Sequence, residues 1–279
     1  MLATAAHERV AREVLAWMRA HRLFGDPGEH EATYLEQATV AATFACLCSA
    51  ADVGEAELLR AAQFTAIFLW FDDSGDAAAI GSEHPAVAEW LRALERVGEG
   101  RSALADFRAS FADYRASLDE ERRVDGSTLA REDYLQLRRR TIFVEPYLDH
   151  WRVSAGIDVD GPARATLRSG QELARDLIIL ANELGSLVRD TTTEQGEMNL
   201  IVRDAQLLGS LEQAVDDAIA QYNALAEQLR ALVCSARAEL PAFTQLLTRV
   251  VDGNIATMRL LTRRYAQSTA LLDRLLSVG

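Results

Sequence analysis

The chain has 279 residues, 42 of them acidic and 29 basic, for a formal charge of −13. So acidic a balance lacks the basic face that phosphate backbones require, which argues against nucleic-acid binding. Every basic residue apart from histidine is arginine, which removes Schiff-base lysines, P-loop lysines and Ser–Lys dyads.

Hydrophobic residues make up 49% of the chain, ample for a core, and five prolines and 16 glycines are few, which favours long helices. The first two dozen residues carry His, Glu and Arg throughout, unlike a secretory leader. No run approaches the roughly 18 apolar residues of a membrane span. Cys46, Cys48 and Cys234 form no CxxC pair, so reduced thiols and a cytoplasmic location are expected. Apolar residues recurring at three and four predict helices over 5–20, 31–50, 55–72, 86–97, 102–119, 128–152, 163–190, 211–233 and 243–265. Turn residues separate them, as at Gly25-Asp26-Pro27-Gly28, Asp125-Gly126 and Glu239-Leu240-Pro241. Ser210 with Gln213 reads as a capping box. Ile157–Val159 is a short alternating scrap, too little for a sheet. The expectation is an all-α fold, a single domain over 1–279 with nine or ten helices.

Four segments carry the candidate chemistry. The apolar run Phe64-Thr65-Ala66-Ile67-Phe68-Leu69-Trp70-Phe71 ends in Asp72, Asp73 and Asp76. Asp72 and Asp76 are four apart and share a helix face, where like charges repel unless a partner such as Mg²⁺ compensates. Phe64 and Phe68 fall two turns and one turn before Asp72, as a wall beside the carboxylates. On 176–195, Asn182, Ser186 and Asp190 form one ridge of oxygen-bearing side chains on an otherwise apolar helix. That row suits a hard cation, with Arg189 beside it for an anion. Arg138, Arg139 and Arg140 splay about 100° apart on a helix, so one faces inward while the others stay in water. Arg263-Arg264-Tyr265 offers further donors near the C-terminus. The five histidines form no zinc-binding pair, and Asp158 with Asp160 is only half of a DxDD protonation motif.

In their order and spacing over 71–265 these segments resemble class I terpene synthases of the bacterial type. Phe71-Asp72-Asp73-Ser74-Gly75-Asp76 matches the aspartate-rich DDxxD motif. Asn182 to Asp190 resembles the NSE motif, (N/D)DxxSxxxE, with Arg189 before the last ligand. Arg138-Arg139-Arg140-Thr141 resembles the diphosphate-sensing arginine in its RRxT-like context. Gly253-Asn254 and Arg264-Tyr265 resemble the family's closing elements. The chain departs from the pattern at Glu183, where Asp is usual, at Asp190, where Glu is usual, and at Ile142-Phe143, where a glycine is usual.

The resemblance implies a class I terpenoid synthase α-helical bundle acting as a terpene cyclase. It implies three Mg²⁺ ions held by Asp72, Asp76, Asn182, Ser186 and Asp190. Arg138, Arg189, Arg264 and Tyr265 would bind the diphosphate, with Arg138 and Tyr265 catalytic. Phe64, Phe68, Ile142 and Phe143 would line the pocket, with Tyr147 and Trp151 further candidate walls. The substrate would be a prenyl diphosphate, C15 farnesyl or C20 geranylgeranyl or copalyl-type, supplied by a prenyltransferase or a class II cyclase and converted to a sesqui- or diterpene. A homodimer is one implied assembly, and the loops after residues 76 and 190 are expected to close over substrate. The rival readings are a chain-elongating prenyltransferase, which would need a second aspartate cluster, and a non-catalytic helical-bundle interaction protein.

Overall fold

In a computed structural model the chain is described over residues 5–49, 53–73, 84–124, 129–192, 199–260 and 268–279, the side chain of Asp73 excepted. Twelve helices occur among these residues and no strand. They are α1 (Ala5–Ala20), α2 (Glu31–Cys48), α3 (Glu55–Asp73), α4 (Pro85–Gly98), α5 (Ser102–Glu121), α6 (Arg131–Thr141), α7 (Val144–Ala155), α8 (Ala163–Thr192), α9 (Leu200–Leu208), α10 (Leu211–Ala236), α11 (Pro241–Leu260) and α12 (Thr269–Leu272). The all-α expectation therefore holds, with boundaries within a few residues of those read from periodicity.

Local chemistry explains where the helices start and stop. Ser210 Oγ accepts the Gln213 N–H at 3.2 Å and opens α10, as its capping signature predicts. His84 caps α4 ahead of Pro85, whose missing N–H costs nothing in a first turn. Asp158, singled out as half of a protonation motif, is a cap instead. Its carboxylate accepts from Ser102 Oγ and the Ala103 N–H, both at 2.9 Å, at the start of α5, and that backbone N–H holds its pKa below the usual carboxylate range. The Ile157–Val159 scrap is irregular chain with both apolar side chains buried.

One predicted helix is two. The stripe over 128–152 breaks between α6 and α7, where Phe143 takes φ 68°, a left-handed conformation uncommon for a bulky residue. A continuous helix would also need an N–H from Pro146, which has none, and would drive its ring into the preceding turn. α9 lies in a stretch for which no helix was predicted, because nine residues are too few to show a periodic face.

The core is one continuous cluster to which all twelve of these helices contribute. α8 runs through its centre, about 45 Å long at 1.5 Å per residue. It packs against α6, α7, α9, α10, α11 and α12, while α2 packs against α1, α3 and α11. Alanines at 38, 41, 42 and 45 keep α2 slim. Gly253 lets α11 touch its backbone, since a Cβ there would stand 2.5 Å from the Leu47 carbonyl oxygen. α3, α6, α8 and α11 thus surround one cavity.

Candidate active site

A cavity of about 180 Å³ opens among α2, α3, α5, α6, α7, α8 and α11. Its polar lining includes Asp72, Glu121, Arg138, Asn182 and Arg189, and its apolar lining includes Phe44, Phe68, Tyr114, Ile142, Phe143 and Tyr147. Residues far apart in sequence therefore meet at one place: Asp72 at the end of α3, Arg138 in the last turn of α6, and Asn182 and Arg189 on α8.

Of the three adjacent arginines, Arg138 faces the cavity. Its Nε donates to Glu183 Oε1 at 2.9 Å and its Nη2 to Asn182 Oδ1 at 3.2 Å, while Nη1 stands 4.0 Å from Glu121. Arg139 pairs with Asp176 at 2.8 Å, and Arg140 pairs with Asp113 and Glu120 at the surface. Burial works against charge on Arg138, but Glu183, Tyr134 and Glu121 outweigh it and raise its pKa. Burial raises the pKa of Glu183, against the pull of Arg138.

The three members of the α8 row differ in surroundings. Asn182 lies on the cavity. Ser186 and Asp190 are 4% and 5% exposed and lie behind it, outside the cavity lining. Asp190 Oδ1 accepts from Arg189 Nε at 2.9 Å, and Asp190 Oδ2 accepts from Asn199 Nδ2 at 3.0 Å. Ser186 Oγ accepts from the same Asn199 nitrogen at 3.3 Å. An amide oxygen, a hydroxyl and a carboxylate, each already drawing N–H donors, make a hard-oxygen set whose chemistry suits Mg²⁺. Among the described residues, His, Cys, Asp and Glu alone form no metal-binding group of three. Asp72 is exposed at the rim. Asp76, Arg264 and Tyr265 lie outside the described residues, as do the segments that follow Asp73 and Thr192.

Among the walls, Phe68 and Phe143 stack with ring centroids 4.6 Å apart and line the cavity with Ile142 and Tyr147. Phe64 does not line it. Its ring is fully buried, stacked on Trp90 at 4.1 Å and covered by Phe143 at 4.5 Å. Four residues along α3 turn the chain by about 400°, and that offset, with Phe143 laid across the helix, puts Phe64 one layer deeper than Phe68. Trp151 is likewise core. Sequence reasoning missed Phe44, Tyr114 and Glu121, which sit on helices α2 and α5 that carry no motif. It also missed Asn199, for which the signal was a cap residue directly before Leu200-Ile201-Val202. Tyr114 is buried beside Asp72, and burial pushes its hydroxyl pKa well up, so the phenol stays protonated.

Residues 52–228 match the model of terpene synthase family 2, C-terminal metal binding. The fold is similar to linalool/nerolidol synthase from Streptomyces clavuligerus, solved in complex with 2-fluorogeranyl diphosphate. The two share 20% identity over 93% of this chain and 95% of that chain, with a TM-score of 0.68. It is similar to the SVS_A2 protein from ancestral sequence reconstruction, at 17% identity over 96% and 94% of the two chains and a TM-score of 0.76. It is similar to α-eudesmol synthase, at 19% identity over 91% and 94% and a TM-score of 0.67. At such identities the likeness is one of fold. No curated protein matches the sequence. No helix among the described residues is long and apolar enough to cross a membrane.

Proposed function

This chain belongs to the terpene synthase family, and from that premise we propose that it ionises a prenyl diphosphate and steers the resulting carbocation to a cyclic terpene. The reading covers C15 farnesyl and C20 geranylgeranyl or copalyl-type diphosphates, made by a preceding prenyltransferase or class II cyclase reaction. The observation that carries it is the meeting of Asp72, Arg138, Asn182 and Arg189 with a wall of aromatic side chains in one cavity. The diphosphate of the analogue bound to the Streptomyces clavuligerus enzyme supports the substrate class.

Each group has a task that follows from its chemistry. Arg138 and Arg189 present guanidinium donors where negative charge develops on the leaving group, so their attraction grows as the carbon–oxygen bond breaks. Mg²⁺, held by Asp72 with Asp76 and by the Asn182–Ser186–Asp190 row, would supply Lewis-acid charge to the same oxygens, with three ions expected. Arg264 and Tyr265 complete the donor set in this reading. No protein nucleophile is required, because the substrate's own double bonds attack the cation. The faces of Phe68 and Phe143 stabilise that cation by about 0.5–2 kcal/mol per contact and keep water from quenching it. Glu183 serves by holding Arg138 in place, one oxygen on the guanidinium and the other on the Leu200 N–H.

The test is release of diphosphate from farnesyl and geranylgeranyl diphosphate by the wild type and by Asp72→Ala and Asn182→Ala. The wild type should release it only with Mg²⁺. Each variant should lose at least about 100-fold in rate, near the 2.7–4 kcal/mol that one charge-stabilising group supplies, with unchanged far-UV circular dichroism. Full activity in both variants would refute the site.

A further inference from the structure

We infer that Asn199 is a positioning residue that aligns Ser186 and Asp190 for cation binding, a role resting on the metal-dependent reading above. Asn199 is fully buried and stands immediately before α9. Its two ends do different work. Oδ1 accepts the Ile201 N–H at 3.0 Å and the Val202 N–H at 3.3 Å, the ordinary task of a helix cap. Nδ2 turns back to α8, 3.0 Å from Asp190 Oδ2, 3.3 Å from Ser186 Oγ and 2.9 Å from the Glu183 carbonyl oxygen.

A cap needs only the oxygen, and Ser, Thr or Asp would supply one. The amide nitrogen is what asparagine adds: its two hydrogens serve the Glu183 carbonyl and Asp190 Oδ2, the two shortest contacts, and the longer contact to Ser186 Oγ is shared with them. Asp190 is one methylene shorter than the glutamate usual at its position, so its carboxylate has less freedom to reach a cation. Asn199 on one oxygen and Arg189 on the other fix the carboxylate plane from both sides. Each carboxylate oxygen keeps a second lone pair for a cation, so the amide orients the group without occupying it. The cap in turn is anchored, because Glu183 Oε2 accepts the Leu200 N–H at 2.8 Å while its other oxygen holds Arg138. One turn of α9 thereby ties the oxygen row to the cavity arginine. Groups that orient a metal-binding side chain in this way are worth about 10–100-fold in metal affinity.

The experiment is titration of the full chain with Mn²⁺ in the presence of inorganic diphosphate, read by electron paramagnetic resonance. Asn199→Ser and Asn199→Gly are the variants, since serine caps as well as asparagine and glycine costs only a few tenths of a kcal/mol. Both should bind Mn²⁺ about 10–100-fold more weakly than wild type with wild-type helicity. Combined with Ser186→Ala, the losses should be less than additive, because Asn199 acts partly through Ser186. Affinity within twofold of wild type would overturn the proposal and leave Asn199 a cap alone. Additive losses would overturn it too, as would loss of helicity in both variants. If the wild type binds no Mn²⁺ with diphosphate, the proposed function fails and this inference with it. If the wild type binds and the variants match it, only the inference fails.

Discussion

Phe64 and Phe68 are one turn apart on α3, yet they belong to different parts of the molecule. Phe64 is enclosed by Trp90, Phe107, Phe111 and Phe143, so Phe64→Ala should cost about 3–5 kcal/mol of stability, read as a fall in the urea midpoint. Phe68 is partly exposed to the cavity, so Phe68→Ala should cost less stability and change the product distribution more. Equal stability losses would contradict the layering. His150 makes a further prediction. Its ring is packed among Phe64, Trp90 and Trp151, and burial, helped by Arg60, pushes its pKa from 6.5 down to about 3. Between those values the unfolded chain binds a proton that the folded chain refuses. The stability gained by keeping the ring neutral is therefore present above about pH 6.5 and lost as pH falls toward 3, by up to about 1.4 kcal/mol per pH unit. His150→Phe should show a shallower acid limb in melting temperature between pH 6 and 4. A limb as steep as wild type would contradict it.

At the scale of elements, α8 and α6 are joined by the Arg138–Glu183 pair, with Glu183 only 1% exposed. Removing one partner leaves the other charge buried, at about 3–5 kcal/mol. Glu183→Ala should therefore lower the melting temperature by several degrees and weaken diphosphate binding through the loosened Arg138. An unchanged melting temperature would show that the pair does not hold the two helices. The oxygen row on α8 was legible in the sequence because one long helix carries it and spacing alone fixes its face. The division of labour among Arg138, Arg139 and Arg140 was legible only as a 100° splay. Which arginine turns inward depends on Glu183 and Asn182, supplied by another helix. The break at Ile142-Phe143 was not legible, since apolar periodicity runs through it. The left-handed turn at Phe143 costs about 1–3 kcal/mol and is held only by tertiary packing. Phe64 was misplaced because the Phe143 ring, held in that turn between α6 and α7, covers it.

At the scale of the whole molecule, helix content followed from scarce proline and regular apolar spacing, while the cavity did not. Its far wall comes from Phe44 on α2 and Tyr114 on α5, helices whose sequences read as plain core. Small residues set how closely those helices approach, as Gly253 does between α2 and α11. Cavity shape is a sum of such contacts, and spacing within one helix does not encode it. The central claim is that this cavity converts a prenyl diphosphate to a terpene. Its most direct test is incubation of the purified protein with Mg²⁺ and, separately, geranyl, farnesyl, geranylgeranyl and copalyl-type diphosphates, with organic extracts read by gas chromatography–mass spectrometry. The account predicts a cyclic hydrocarbon or alcohol from a C15 or C20 substrate, absent when EDTA is added. No product from any of the four, by protein that is folded and binds Mg²⁺, would contradict it.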